Sequence, residues 1–218
     1  VREKIAIYEA AATEYDHWAC HNNLGAAYLN AAIEGVGNQN SMLDKSIAQL
    51  EIAAHKKNNA YSMGNMATVE MMQGNVEKAY ESVSEAVAMD PPSEIVYGFN
   101  GVKGSLEIMK AEYDDAVRSL SNAMDHPDNM FNKGLAQILD GQYADAVVTF
   151  NEVVNKDSDY AMAAYGVAIA EARQGKTEAA IGAIEDAVEM DPGLKSQMAA
   201  DLEFDAMASN SEFINAVK

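Results

Sequence analysis

Apolar residues recur at intervals of four and seven in five stretches of the chain, and each stretch starts at a small residue. The small residues are Ser46, Ala79, Ala116, Ala146 and Ala180. The residues four positions later are Leu50, Val83, Leu120, Phe150 and Ile184, and those seven positions later are Ala53, Ala86, Ala123, Val153 and Ala187. This spacing lies on one helical face. It predicts five amphipathic helices whose small residues let a neighbouring helix approach closely.

A turn signal precedes four of these helices. Gly74, Gly141 and Gly175 each stand five residues before the small residue, and Ala111 takes the same place before Ala116. Glycine adopts the left-handed conformation that closes a helix at no steric cost. Each signal therefore predicts the end of one helix, a tight turn and the start of the next helix.

The five small residues follow one another at intervals of 33, 37, 30 and 34 positions. Periods near 34 residues are typical of arrays built from pairs of helices. No stretch alternates apolar and polar residues convincingly, so we expect no strand. The pattern predicts an all-α protein made of stacked helix pairs.

Two segments carry a resemblance to a known family. Leu24-Gly25 is followed three positions later by Tyr28, and the last repeat contains Ala180, Ile184, Ala187 and Pro192. With these motifs the sequence resembles the tetratricopeptide repeat family. The resemblance implies a right-handed α-α superhelix with C-terminal capping helices and no enzymatic activity. At the family's tyrosine position the later repeats have Glu70, Glu107, Gln137 and Glu171.

The repeat spacing divides the chain into seven segments. We expect them at residues 1–16 (the second helix of an incomplete repeat, with Tyr8 and Ala11 packed), 17–57, 58–92, 93–126, 127–158, 159–192 and 193–218 (capping helices). The repeat at 17–57 is about nine residues too long, and we expect an extended loop between its helices because loops tolerate insertions. The repeat at 127–158 is about four residues short, which predicts a clipped first helix. The first segment suggests that the sequence begins within a longer array.

Charge narrows the classes of partner. The chain has 15 Lys and Arg against 34 Asp and Glu, a formal net charge of −19. Nucleic acids and anionic membranes attract basic proteins, so both are disfavoured as partners. Such a surface favours basic partners and speeds encounter with them. Cys20 is the only cysteine, so no disulfide can form within the chain.

The resemblance also implies a concave groove lined by the first helix of each repeat. At the family's groove positions the residues are Asn22, Ala26, Tyr61, Gly64, Thr68, Gly98, Gly101, Ser105, Phe131, Leu135, Met162, Tyr165 and Ile169. Some of these positions are equally consistent with packing between helices. No Lys or Arg stands at the groove positions of the later repeats, which argues against capture of a peptide carboxylate. We expect a protein or peptide partner with apolar or basic side chains, and no cofactor.

Three residues of types that bind metal ions lie close together in the sequence. His17, Cys20 and His21 project from one side of a helix, and three such side chains could meet a zinc ion. No fourth ligand is evident, and cysteines beside an aromatic residue in a helix seam are usually packing residues. We therefore predict no metal site.

Two functional hypotheses remain open from the sequence. The first is a scaffold that binds a protein or peptide in its groove. The second is a structural spacer or self-association module of a larger bacterial envelope protein, whose groove has no dedicated ligand. A weak similarity to arrays of bacterial envelope proteins favours the periplasmic side over the cytoplasm.

Overall fold

The computed structural model describes residues 1–218, and all of its regular elements are helical. The α-helices are α1 (Arg2–Tyr15), α2 (Trp18–Ile33), α3 (Gln39–Lys56), α4 (Ala60–Met72), α5 (Val76–Ala88), α6 (Ser93–Met109), α7 (Tyr113–Ser121), α8 (Pro127–Leu139), α9 (Tyr143–Lys156), α10 (Ala161–Arg173), α11 (Thr177–Met190), α12 (Lys195–Ala200) and α13 (Ser211–Ala216). Two short 3-10 segments, Pro192–Leu194 and Leu202–Met207, flank α12. No helix is long and apolar enough to cross a membrane.

The helices form two compact units. The N-terminal unit comprises Val1–Ala111 with Asn122–Met124, and the C-terminal unit comprises Glu112–Ser121 with Asp125–Lys218. Within each unit, helices that follow one another along the chain pack against each other. The N-terminal unit contains α1 to α6, and the C-terminal unit contains α7 to α13.

The small residues that begin the amphipathic faces are fully buried, as the sequence predicts. Their neighbours show why small size matters. Ser46 donates a hydrogen bond from its hydroxyl to the backbone oxygen of Gly25 at 2.7 Å, which requires α2 and α3 to lie close together. A Cβ added to Gly25 would lie 2.6 Å from Leu50, so neither helix has room for a larger residue at this crossing.

The predicted turns occur where the glycines stand. Gly74, Gly141 and Gly175 have φ angles of 80°, 78° and 73°. Ala111 has a φ of 60° at the equivalent turn, a conformation that is costly for a residue with a Cβ. The repeat geometry therefore imposes the left-handed turn even where the glycine is missing.

The long repeat differs from the prediction. No extended loop is present, because α2 and α3 have 16 and 18 residues and only residues 34–38 separate them. Asn38 begins α3 by accepting a hydrogen bond from the backbone N–H of Ser41 at 2.9 Å. This N-cap starts the helix early, so the extra residues lengthen the helices rather than the connection.

The short repeat also differs from the prediction. Helix α8 has 13 residues, the same as α4 and α10, so it is not clipped. The missing residues fall in α7, which has 9 residues and ends at Ser121. Ala123, which we expected on the buried face of this helix, lies beyond its end and is only half-buried. Pro127 at the first position of α8 disfavours helical backbone at the residue before it, so a break is required there.

Both ends of the chain pack against their neighbours with partly different residues from those expected. In α1 the buried residue is Ala12, whereas Ala11 is only half-buried. At the other end Phe204 and Phe213 are buried in the core of the C-terminal unit. Leu202, in the same segment, is 80% exposed.

Candidate functional site

The C-terminal unit contains an open apolar pocket of about 160 Å³. Helices α8, α9 and α10 and the segment around α12 provide its walls. Its lining residues are Phe131, Leu135, Ile138, Phe150, Met162, Tyr165, Gly166, Ile169, Gln197 and Asp201. All five groove positions that the sequence indicated in the fourth and fifth repeats, namely Phe131, Leu135, Met162, Tyr165 and Ile169, therefore meet in one place.

The floor of the pocket is built around Phe150 of α9. A Cβ added to Gly134 would lie 2.8 Å from the Phe150 ring, and a Cβ added to Gly166 would lie 2.6 Å from it. The ring therefore inserts between α8 and α10 at two residues that have no side chain. Phe131 packs against it with ring centroids 5.5 Å apart, and Tyr160 stacks on Phe131 at 5.4 Å.

The side chains above this floor remain accessible. Phe131, Leu135 and Ile169 are half-buried, and Met162 is 43% exposed. Methionine is flexible and adapts to irregular partners. The pocket therefore offers large apolar side chains to solvent, and apolar surface grouped in this way marks interaction sites.

The pocket lining also contains a polar pair, Tyr165 and Asp201. Tyr165 is 2% exposed, and its hydroxyl donates a hydrogen bond to Oδ2 of Asp201 at 2.5 Å. Burial raises the pKa of the Tyr165 hydroxyl, and the hydrogen bond to the Asp201 carboxylate raises it further. The tyrosine ring stacks on Phe204 with centroids 5.9 Å apart. The hydroxyl thus stays protonated and holds the Asp201 carboxylate in the pocket lining.

An ion pair fastens the same wall. Arg173 donates from Nε and Nη2 to the two carboxylate oxygens of Glu203, both at 2.5 Å. Paired hydrogen bonds of this kind fix orientation as well as distance. Since Asp201 and Glu203 are two residues apart, the two contacts hold the segment after α12 against α10.

The groove positions of the N-terminal unit behave differently. Asn22 is buried, and its Oδ1 accepts hydrogen bonds from Ser62 at 3.2 Å and from Asn65 at 3.3 Å. Gly64 lies directly beneath the ring of Phe99, so the expected groove position is filled by packing. The same unit buries Gly101.

The remaining positions of this unit are scattered. The hydroxyls of Thr68 and Ser105 donate to the backbone oxygens four residues earlier on their own helices, at 3.2 and 2.9 Å. Tyr61 and Gly98 are exposed. Ala26 lies in a separate cavity of about 280 Å³ that polar side chains such as Asn23 line. The structure therefore brings these residues into no common apolar surface.

The cluster at the start of α2 has structural partners. His17 caps the helix, with Nδ1 accepting from the backbone N–H of Ala19 at 3.3 Å. The ring nitrogens of His21 lie 3.0 Å from Oδ1 of Asp16 and 2.8 Å from Oε1 of Gln49. No group of three or more His, Cys, Asp or Glu side chains is arranged to hold a metal ion.

The sequence did not indicate every residue of the pocket. Phe150 lies on a predicted helix face but was expected only as core, and Ile138 was not assigned to any site. Gln197 and Asp201 lie in the capping segment, and no groove position of the repeat corresponds to them. Residues 201–204 lie in the predicted capping helices, but their fold onto α10 depends on tertiary contacts.

The family model described as "Tetratricopeptide repeat" matches residues 131–195, which include most of the pocket. Residues 131–195 carry tetratricopeptide repeats. Their helix pairs confirm the all-α repeat architecture that the sequence predicts. No curated protein sequence matches the chain.

Solved tetratricopeptide repeat structures share this fold. YrrB, described as a protein "with an unusual peptide-binding site", superposes with a TM-score of 0.69 at 17% identity, covering 85% of this chain and 92% of YrrB. The C-terminal part of a repeat protein from Cytophaga hutchinsonii gives 0.70 at 18% identity, over 99% and 87% of the two chains. MamA gives 0.63 at 19% identity, over 72% and 93%. At these identities the similarity shows the fold alone.

Proposed function

We propose that the chain is a non-catalytic scaffold that binds a protein or peptide by taking an apolar side chain into the pocket of the C-terminal unit. The observation that supports this most directly is the pocket itself, in which Phe131, Leu135 and Ile169 stay accessible above the Phe150 floor. A groove with such a lining suits the apolar side chains of a docked segment. The peptide-binding site named for YrrB, which has the same fold, is consistent with this role.

Charge favours a basic partner. The C-terminal unit has 20 acidic and 7 basic side chains, a net charge of −13, against −6 for the N-terminal unit. A surface of this kind speeds association with basic segments and makes it sensitive to salt. Full burial of one large apolar side chain contributes about 1.5–3 kcal/mol, so one anchor alone gives weak binding and further contacts must add to it.

The experiment uses fluorescein-labelled peptides of twelve residues, made of Gly, Ser and Lys with a single central Leu. Fluorescence anisotropy measures their binding to the full chain and to Ile169→Ser, whose hydroxyl replaces apolar lining. We expect this variant to weaken binding about tenfold, since it removes roughly 1.4 kcal/mol of apolar contact. A peptide with Ser in place of the central Leu should lose binding to the same degree.

Val148→Ser is the matched control. Val148 is 58% exposed on α9 and is not among the pocket residues, so its loss should leave peptide affinity unchanged. Equal affinity of the parent chain for the Leu and Ser peptides would contradict the proposal. Sedimentation of the same samples separates the alternative role, because a dimer that Ile169→Ser dissociates would indicate a self-association module.

A further inference from the structure

Asp201 differs from the other carboxylates that hold this unit together. Glu203 pairs with Arg173, Asp125 with Lys156, and Glu171 with Lys176 at 3.1 Å. Asp201 is half-buried, lines the pocket and has no basic side chain as a partner. It is therefore a carboxylate held in place by neutral donors.

Those donors leave part of the carboxylate unused. Oδ2 accepts the hydroxyl of Tyr165 at 2.5 Å, and Oδ1 accepts the backbone N–H of Glu203 at 3.0 Å. An ionised carboxylate has about four acceptor positions, so each oxygen can take a further donor. The two existing hydrogen bonds fix its direction, and a ligand would not have to order it.

The pocket therefore combines an apolar lining with an oriented carboxylate. The apolar side chains of Leu135, Met162 and Ile169 line the pocket, and the Asp201 carboxylate lines it as well. An apolar side chain alone would leave the carboxylate facing solvent, whereas a neighbouring cation would pair with it. Charge-assisted hydrogen bonds to a partly desolvated carboxylate are stronger than those between neutral groups.

We propose that the pocket recognises a protein segment in which a large apolar side chain has a Lys or Arg beside it, with the cation paired to Asp201. This deepens the proposed function and depends on it. The apolar side chain supplies the anchor, and the basic neighbour supplies selectivity among apolar segments. The net charge of −13 on this unit attracts any basic segment, but only Asp201 lies where the anchor is bound.

The test compares two isosteric variants in the full chain. Asp201→Asn keeps one oxygen that can accept the backbone N–H of Glu203 at the N-cap, and its amide group can donate to the Tyr165 hydroxyl, while the charge is removed. Asp205→Asn removes the same charge from an exposed residue in the same 3-10 segment and is the matched control. Three peptides serve as probes: Leu flanked by Lys, Leu flanked by Gln, and Ser flanked by Lys.

We expect Asp201→Asn to weaken the Leu-Lys peptide about fivefold in anisotropy titrations and to leave the Leu-Gln peptide unchanged. Asp205→Asn should change neither peptide by as much as twofold. Equal losses for the two variants would overturn the proposal, because the charge preference would then come from the general field. The Leu peptides would still bind in that case, which leaves the proposed function intact.

Other outcomes are also informative. If the Ser-Lys peptide binds as well as the Leu-Lys peptide, the apolar anchor is absent and both proposals are wrong. If the chain sediments as a dimer that Asp201→Asn weakens, the occupant is a second copy rather than a separate partner, and this inference is wrong. Asp205→Asn should melt within about 2 °C of the parent by circular dichroism, since an exposed substitution changes stability by less than about 0.5 kcal/mol. Asp201→Asn changes a half-buried side chain that accepts from Tyr165, so its unchanged affinity for the Leu-Gln peptide is the check that the pocket stays intact.

Discussion

The two units place different chemistry at the same positions of the repeat. One groove position is shared by all five repeats. The N-terminal unit has Asn22, Gly64 and Gly101 there, whereas the C-terminal unit has Phe131 and Tyr165. At the groove position four residues later, the N-terminal unit has small or hydroxyl side chains, whereas the C-terminal unit has Leu and Ile. The repeat fixes where these residues stand, and side-chain size decides whether an apolar pocket can form there.

The source of the packing aromatic explains the difference further. In the N-terminal unit the ring of Phe99 in α6 covers Gly64 in α4. Both are the first helices of their repeats, so one first helix fills the groove position of another. In the C-terminal unit Phe150 comes from α9, the second helix of its repeat. Its ring inserts between Gly134 of α8 and Gly166 of α10. The faces of α8 and α10 therefore stay open above it.

The variant with the largest expected effect removes the Phe150 ring from the floor of the pocket. Phe150→Ala removes a buried ring between two glycines and should lower the free energy of unfolding by about 3–5 kcal/mol. Urea denaturation followed by circular dichroism measures the loss. Val148→Ala on the same helix is the control and should cost less than about 0.5 kcal/mol. A loss below 1 kcal/mol for Phe150→Ala would show that the ring does not support the pocket.

The matching test in the N-terminal unit adds a side chain. Gly64→Ala places a Cβ against the Phe99 ring and should cost about 1–3 kcal/mol, which outweighs the gain in helix propensity of about 1 kcal/mol. Phe99→Leu in the same chain should recover part of this loss. The fluorescence of Trp18, the only tryptophan, reports on this unit. If the effects of Gly64→Ala and Phe99→Leu on the free energy of unfolding are additive, Gly64 and Phe99 are not in contact.

A third comparison concerns a buried position between the helices of a pair. Glu70 accepts a hydrogen bond from Ser82 at 2.7 Å, and at the equivalent positions the C-terminal unit has the neutral Gln137 and the acidic Glu171. Burial raises the pKa of Glu70 above its usual 4.5 and outweighs the hydrogen bond, which lowers it. The folded chain therefore binds this proton more tightly than the unfolded chain, and the resulting stability is complete below about pH 4.5 and is lost as the pH rises through the raised pKa.

Glu70→Gln should therefore stabilise the chain at pH 7, and the gain should shrink as the pH approaches 4.5. Thermal melts of both proteins across this range measure the difference. Glu85→Gln is the control, because Glu85 is exposed and should show no such trend. A gain that grows on acidification would contradict the assignment.

The smallest effects concern the turns. Ala111→Gly relieves a positive φ and should stabilise by about 0.5–1 kcal/mol after the entropy of the unfolded glycine is counted. Gly141→Ala makes the opposite change at the equivalent turn and should destabilise by about 1 kcal/mol. Urea midpoints of the two variants should shift in opposite directions. Shifts of the same sign would mean that the two turns are not equivalent.

The sequence predicted the helix faces and turns because both depend on local signals. Anchors such as Ala79 and Ala146 and the turn at Gly141 follow from spacing and residue size alone. The length of α3 and the early end of α7 were missed, because caps and proline decide them. In the N-terminal unit Gly64 was assigned to the groove, since no local signal shows that Phe99 covers it. Asp201 was missed because only tertiary packing brings the capping segment to the pocket.

In the proposed mode of binding, the open pocket of the C-terminal unit receives an apolar side chain and no surface of the N-terminal unit does. Methyl NMR of the full chain, titrated with the Leu-Lys peptide, tests it directly. We expect shifts at the methyl groups of Leu135, Met162 and Ile169, and none at Ile7 or Ile33, which are exposed in the N-terminal unit. Shifts at Ile7 or Ile33 with unchanged pocket methyls would contradict it.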